Sequence, residues 1–285
     1  MRQLLTIGLL LFFGVSQAVF AASVWQVSKD QTQFYLVGTV HLLSENDFPL
    51  PNAFDTAFNA SQHLIFETDM QQLTSPAGMN KMMSQNTYRP GQNLKDVLSH
   101  KVYQQLQAMA KERQWPLTAI EQFKPAFAAM MISVQELQRL GAASTGVDMH
   151  YLQLGLQQQK SMSGLETVDE HLAVLTALNE IDANKVISST LQDLEKIESM
   201  LAQMKAAWRS GHAEQLADLF IDDMKKIPEI YQITLAKRNY AWLDTLTQLE
   251  GKDTMVLVGA LHMVGEDGLL KLLADRGYRI EQLHD

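Results

Sequence analysis

Cysteine is absent from the chain of 285 residues. That excludes disulfides, thiolate nucleophiles and zinc or iron–sulfur sites built on cysteine. Any metal must therefore sit on His, Asp, Glu or backbone oxygen. Several familiar motifs are also missing. There is no Gly-rich phosphate loop, no His-Glu-x-x-His helix and no Gly-x-Ser-x-Gly elbow. These absences weigh against nucleotide hydrolysis, a standard zincin and an α/β-hydrolase. Positive charge is scarce too: 23 Lys and Arg stand against 32 Asp and Glu, a formal net charge of -9. A nucleic-acid binder has the opposite balance, so no nucleic-acid partner is expected. Low-complexity tracts are lacking, and neither Gly nor Pro is enriched, so extended disorder is not expected.

One long apolar run is present, at the start. Arg2 precedes an apolar stretch from Leu4 to Val15, and small residues follow at Ser16, Ala18, Ala21 and Ala22. This reads as a signal peptide over residues 1–22, cleaved after Ala21 or Ala22. The run is short for a membrane span, so no stable membrane anchor is expected after cleavage. The expected location is exported, periplasmic or secreted. Residues 23–285 then read as a single domain.

The most informative stretch is FYLVGTVHLL, Phe34 to Leu43. An apolar strand breaks at Gly38 and presents His41 three residues on. A near copy lies toward the other end: MVLVGALHMVG, Met255 to Gly265, with Gly259 and His262. Between them the order reads hairpin (Val24–Val27 with Gln33–Val37), helix (Asn52–Ala60) and strand (His63–Phe66) running into Glu67. Single helices are expected over Leu94–Arg113, Pro125–Leu140, Val147–Gln157, Val168–Leu178 and Asp182–Arg209. A short strand, Lys160–Leu165, ends in Glu166. Two helices, Glu214–Lys226 and Glu229–Leu249, precede the second Gly-x-x-His strand; a helix from Glu266 and a last strand follow. The fold class is α/β: a central mixed sheet flanked by helices, with a largely helical middle insertion over roughly 76–250 that contains one short strand.

Ligands in open α/β sheets bind at the carboxyl ends of strands, where His41 and Glu67 would sit together. A histidine there is placed to be a metal ligand or a general base, although each motif alone is equally a structural histidine after a strand-end glycine. An acid directly after a buried run must be paired, hydrated or coordinated. Two histidines and a carboxylate, His41, His262 and Glu67, match a divalent-metal site with open positions for water. If these side chains lie more than roughly 10 Å apart, one-metal chemistry fails. Glu166 repeats the strand-then-Glu layout; it could be a second carboxylate, a base, or a structural acid paired with Arg238. Asp148 could be no more than a helix N-terminal acid, and Lys124-Pro125 no more than a helix entry. Arg238-Asn239 could contact a substrate carboxylate or lie on a solvated helix face. His63, His100, His171, His212 and His284 lack this context, and His150 is kept in reserve for its closeness to Asp148.

Taken in order, Gly38-Thr39-Val40-His41, Glu67 in LIFET, Lys124-Pro125, Gly146-Val147-Asp148, Gly164-Leu165-Glu166-Thr167, Arg238-Asn239 and Gly259-Ala260-Leu261-His262 resemble the TraB/GumN family, which is similar to the Tiki metalloproteases. The resemblance covers the whole mature chain. It implies an α/β core akin to the erythromycin-esterase and haem-binding ChaN-like folds. It further implies an active site of His41, Glu67 and His262 holding a divalent ion (manganese, cobalt or zinc), with Arg238 and Asn239 as a supporting or substrate-contacting pair.

The expected activity is metal-dependent hydrolysis of an exported peptide or small molecule, with Glu67 a ligand or base, Glu166 a possible further member and Arg238 orienting substrate. Two alternatives stand beside it. One is a periplasmic binding protein for haem, metal or a signalling peptide. The other is a metal-independent, esterase-like hydrolase in which a histidine acts directly on water.

Overall fold

The computed structural model describes residues 21–142 and 145–284; the expected signal peptide lies almost wholly outside them. Two strands, β1 (Ala21–Lys29) and β2 (Thr32–Thr39), pair antiparallel across a turn at Asp30. Phe34, Tyr35, Leu36 and Val37 are all buried. Burial of four consecutive residues means that β2 is covered on both faces, as in the interior of an α/β sheet. Helix α1 (Asn52–Asn59) crosses to β3 (His63–Thr68). The strand runs two residues beyond the expected Phe66, so Glu67 lies within it and not after it.

Four helices follow: α2 (Pro76–Asn86), α3 (His100–Arg113), α4 (Pro125–Arg139) and α5 (Val147–Gln157). The single helix expected from Leu94 is interrupted. A short 3-10 turn covers Leu94–Asp96, and Ser99 then caps α3, its Oγ accepting from the Val102 N–H at 3.3 Å. Next come β4 (Ser161–Glu166), α6 (Val168–Leu178), α7 (Ala183–Leu194) and α8 (Ile197–Arg209). The expected continuous helix over Asp182–Arg209 is two helices, because its apolar faces serve different cores. Val186, Ile187, Leu191 and Leu194 pack with α3 and α4, whereas Ala207 and Trp208 pack against the sheet.

Helix α9 spans 213–224 and α10 spans 228–247, and each contains a π turn, Ala217–Ile221 and Gln232–Ala236. The chain closes with β5 (Thr254–Gly259), α11 (Leu269–Ala274) and β6 (Arg279–His284). Helix α11 begins three residues later than its expected start at Glu266. Among the described residues no helix is long and apolar enough to cross a membrane.

The strands form one mixed sheet in the order β4-β3-β5-β2-β1-β6. Strands β4, β3, β5 and β2 are mutually parallel, while β1 runs against its neighbours. Strand β5, late in sequence, inserts between β2 and β3. The two Gly-x-x-His strands are therefore neighbours. Gly38 pairs with Val258, and Thr39 with Gly259, so the motifs are offset by one residue. All four parallel strands end on one edge, which collects His41, Glu67, Glu166 and His262.

Trp208 ties the helical segment to that edge. Its Nε1–H donates to the Gly38 carbonyl at 2.7 Å, and its own carbonyl accepts from Ser23 Oγ at 2.7 Å. Trp208→Phe leaves a buried carbonyl without its donor and is expected to cost about 1–3 kcal/mol. Thermal denaturation reads this directly; an unchanged melting temperature would show that the bond contributes nothing.

Candidate functional site

His41 follows β2 by two residues and is held by α5. Val147 N–H donates to the Val40 carbonyl at 3.0 Å, which brings the α5 N-terminus against the loop. Gly146 is required there: a Cβ on it would lie 2.2 Å from the His41 carbonyl. Asp148 is thereby placed beside His41. Its Oδ2 lies 2.8 Å from His41 Nδ1, and its Oδ1 accepts from Thr39 Oγ1 at 2.8 Å. Asp148 is thus more than a helix N-terminal acid. A carboxylate on Nδ1 fixes the ring and leaves Nε2 as the working nitrogen. His41's side chain is 66% accessible, and it lines a cavity of about 420 Å³. The Asp148 carboxylate raises its pKa to about 9.

Glu67 comes from β3. Its Oε1 accepts from the Gly259 N–H at 2.7 Å and its Oε2 from Arg238 Nη2 at 2.6 Å. Burial alone would push this carboxyl up, but the surrounding histidines, Arg238 and the Gly259 N–H outweigh it and hold it well below the usual range. Glu67 is therefore an anion.

His262 follows β5 on a 3-10 turn and is buried against Trp242, with ring centroids 4.5 Å apart. Asn239 sets its tautomer. The Asn239 NH2 donates to the carbonyls of His262 and Asp267 at 3.1 and 2.7 Å, so its Oδ1 must be the acceptor for His262 Nδ1–H at 2.6 Å. Nε2 is then an unprotonated acceptor, and Arg238 Nη1 donates to it at 3.1 Å. Burial pushes His262 down to about 4, so it is neutral at ordinary pH.

Arg238 is the centre of the network. Nε and Nη2 reach the two Glu166 oxygens at 3.1 and 2.6 Å, Nη2 also reaches Glu67, and Nη1 reaches the Thr234 carbonyl and His262. All five N–H donors are used. In this arrangement Arg238, which lines the cavity, has every donor engaged, and Asn239 is buried with its amide fully engaged. Both position other groups. Glu166 is likewise satisfied, by Arg238, by Trp242 Nε1–H at 3.1 Å and by His171 Nδ1 at 2.7 Å. It does not line the cavity and is paired with Arg238. His150 packs on Phe48 and Tyr151 outside the cavity and drops out.

His41, Glu67 and His262 do converge. A Cβ placed on Gly259 would lie 3.2 Å from Glu67 Oε1, 3.6 Å from His41 Nε2 and 3.6 Å from His262 Cδ2. That is well inside the roughly 10 Å limit for shared one-metal chemistry. The donor set as arranged does not fit a three-ligand ion, however, because the His262 Nε2 lone pair is engaged by a fixed guanidinium. Among the described residues the one His and carboxylate cluster within 4.8 Å is Glu67, Glu166 and His171. There Arg238 Nη2 already stands between the groups, 2.6 Å from each carboxylate and 3.3 Å from His171.

The rest of the cavity wall is apolar. Leu137, Leu201, Met204, Leu216, Met224 and Leu235 come from the helical segment and face the strand ends. Trp242 was not marked by sequence, and His171 was set aside for lack of context. They are single residues on separate elements, and nothing local distinguishes them.

Comparison with known proteins agrees on one family. The family model described as TraB/PrgY/gumN matches residues 23–282. Two similar proteins carry the name uncharacterized protein YbaP. The Escherichia coli (strain K12) protein is 26% identical over 84% of this chain and 87% of its own length. The Shigella flexneri protein is 25% identical over the same shares. No solved structure matches the chain significantly.

Proposed function

The chain belongs to the TraB/PrgY/gumN family, and from that premise we propose that its cleft hydrolyses an ester or peptide carbonyl with His41 as general base. The observation that carries this is the gap over Gly259 on which His41 Nε2 and Glu67 Oε1 converge, each within 3.6 Å of where a Cβ on that residue would lie. A water there donates one hydrogen to each. Its oxygen attacks the carbonyl carbon while His41 Nε2 takes the proton. Asp148 stabilises the imidazolium that forms. As the tetrahedral intermediate collapses, the C–O or C–N bond breaks and His41 returns the proton to the leaving group. Arg238 and the Gly259 N–H keep Glu67 ionised and fixed.

The convergence of the same three side chains favours a second reading, in which His41, Glu67 and His262 hold a divalent ion. An ion supplies Lewis acidity when bound, and here it requires Arg238 to release His262. The export reading belongs to this proposal as well. Ala22 is fully buried and its carbonyl accepts from Gln282 at 2.9 Å, which favours cleavage after Ala21 over cleavage after Ala22. N-terminal sequencing of the exported chain should begin at Ala22.

The test is turnover of a panel of peptides and aryl esters, with and without strong chelator and with manganese, cobalt or zinc restored. Turnover that survives chelation supports the proposal. Loss on chelation and recovery with one ion supports the second reading. Binding without products overturns hydrolysis and leaves a binding protein. Gly259→Ala probes the water position independently. Its backbone, φ -52° and ψ 137°, suits alanine, but the new Cβ lies 3.2 Å from the fixed Glu67 Oε1, so a loss of about 1–2 kcal/mol is expected. The new methyl narrows the gap that the water occupies between His41 and Glu67 and should lower turnover about 100-fold; full activity would sink the assigned position.

A further inference from the structure

Lys124, singled out in the sequence and unused by the cleft, lines a second cavity of about 490 Å³. It lies where the end of α2, the following loop, the start of α4 and α6 meet. The frame is rigid. Tyr88 N–H donates to the Gln122 carbonyl at 2.8 Å, Lys124 N–H donates to the Asn86 carbonyl at 2.8 Å, and Thr87 bridges to Phe123. Two cations, Arg89 and Lys124, line the cavity, and no acidic side chain does. Neither cation forms a hydrogen bond or ion pair with its side chain among the described residues.

That arrangement opposes simple electrostatics. The chain as a whole carries -9, yet this cavity gathers uncompensated positive charge. Lys124 also occupies the N-cap of α4, a 15-residue helix, with no side-chain capping bond. A cation at the positive end of a helix dipole is disfavoured. Local conflicts of this kind mark functional positions. The remaining lining adds a second requirement. Ser84 and Thr87 donate their hydroxyl hydrogens to the carbonyls of Lys81 and Met83 at 3.0 and 2.8 Å, so toward the cavity they can only accept. Gln85 Oε1 is buried with no partner, a further acceptor without a donor.

We propose that this cavity binds a small hydroxylated anion: an oxyanion headgroup, phosphate or carboxylate, held by Arg89 and Lys124, on a body whose hydroxyls donate to Ser84 and Thr87. It is separate from the hydrolytic cleft, since no residue lines both cavities.

Calorimetric titration of the full chain at constant ionic strength tests this with glucose 6-phosphate, gluconate, glucose and inorganic phosphate. Saturable binding of glucose 6-phosphate or gluconate is expected, and the tighter of the two identifies the headgroup. Arg89→Gln and Lys124→Gln should each weaken it about tenfold or more, while Arg279→Gln, on β6, leaves it unchanged. Neither cation supports the fold through a bond, so matched melting curves accompany the loss. Binding by neither anion overturns the proposal. Binding of glucose as tight as glucose 6-phosphate overturns the charge argument, and inorganic phosphate as tight as glucose 6-phosphate overturns the hydroxylated body. Affinity within twofold of wild type in the Arg89→Gln, Lys124→Gln double variant places any binding elsewhere.

Discussion

His41→Ala slows hydrolysis by about 10²–10⁴-fold, the usual contribution of a positioned general base, and lowers the melting temperature at neutral pH, because it leaves the buried Asp148 carboxylate without its cation. Asp148→Asn should produce much of the same loss by a different route. An amide cannot stabilise the imidazolium, and it can hold the wrong tautomer. The pH profile separates the two roles. In the wild type the neutral, basic form of His41 appears as pH rises through its raised pKa of about 9, so kcat/KM climbs on an alkaline limb. Asp148→Asn removes the cause of the shift and moves that limb down toward the ordinary histidine value near 6.5, at a lower plateau. The linkage to stability has the matching sign. The folded pKa lies above the unfolded one, so the stabilisation is complete below the unfolded value and is lost as pH rises through the folded one. A profile whose limb does not move in Asp148→Asn removes His41 from the general-base role.

Arg238→Met should be the most destabilising single change at the site. It removes one guanidinium and strands two buried carboxylates, Glu67 and Glu166. Deleting one partner of a buried ion pair costs about 3–5 kcal/mol. In a domain of this size each kcal/mol lowers the melting temperature by roughly 2–4 °C. Arg238→Lys should rescue little, since one ammonium with three donors cannot serve Glu166 through both oxygens, Glu67, Thr234 and His262 together. The triple variant with Met at 238 and Gln at 67 and 166 is the control. With the stranded charges neutralised, much of the stability should return while turnover does not. If Arg238→Met melts like the wild type, Arg238 is not the organising centre.

The strand ends were legible because they obey local rules. Four apolar residues before Gly38 and four before Gly259 mark buried parallel strands, and topology brings their ends to one edge. His41, Glu67 and His262 could be collected on that basis alone. What each does could not. The count of donors engaged on Arg238 depends on partners 4 to 171 residues away. Asp148 looks like any acid in a first helical turn until Gly146 lets α5 approach residues 40 and 41. The break between α7 and α8 was equally hidden. Both halves of Asp182–Arg209 have good helical periodicity, and only the existence of two separate cores forces the chain to turn between them.

The π turn at Gln232–Ala236 sits immediately before Lys237 and Arg238. A π turn accommodates one residue more than the regular helix would, and each residue of an α-helix advances the azimuth by about 100°. Arg238, Asn239 and Trp242 all lie downstream of it, and all three face the strand ends. The extra residue therefore works as a phase setting for half a helix. Excising one residue from 232–236 would rotate the three together, turning Arg238 away from Glu67 while α10 kept its length and much of its helicity. A single-codon deletion or insertion in this turn would switch the whole electrostatic centre in or out of register, and relatives that differ by one residue here should differ in which side chains they present to the cleft.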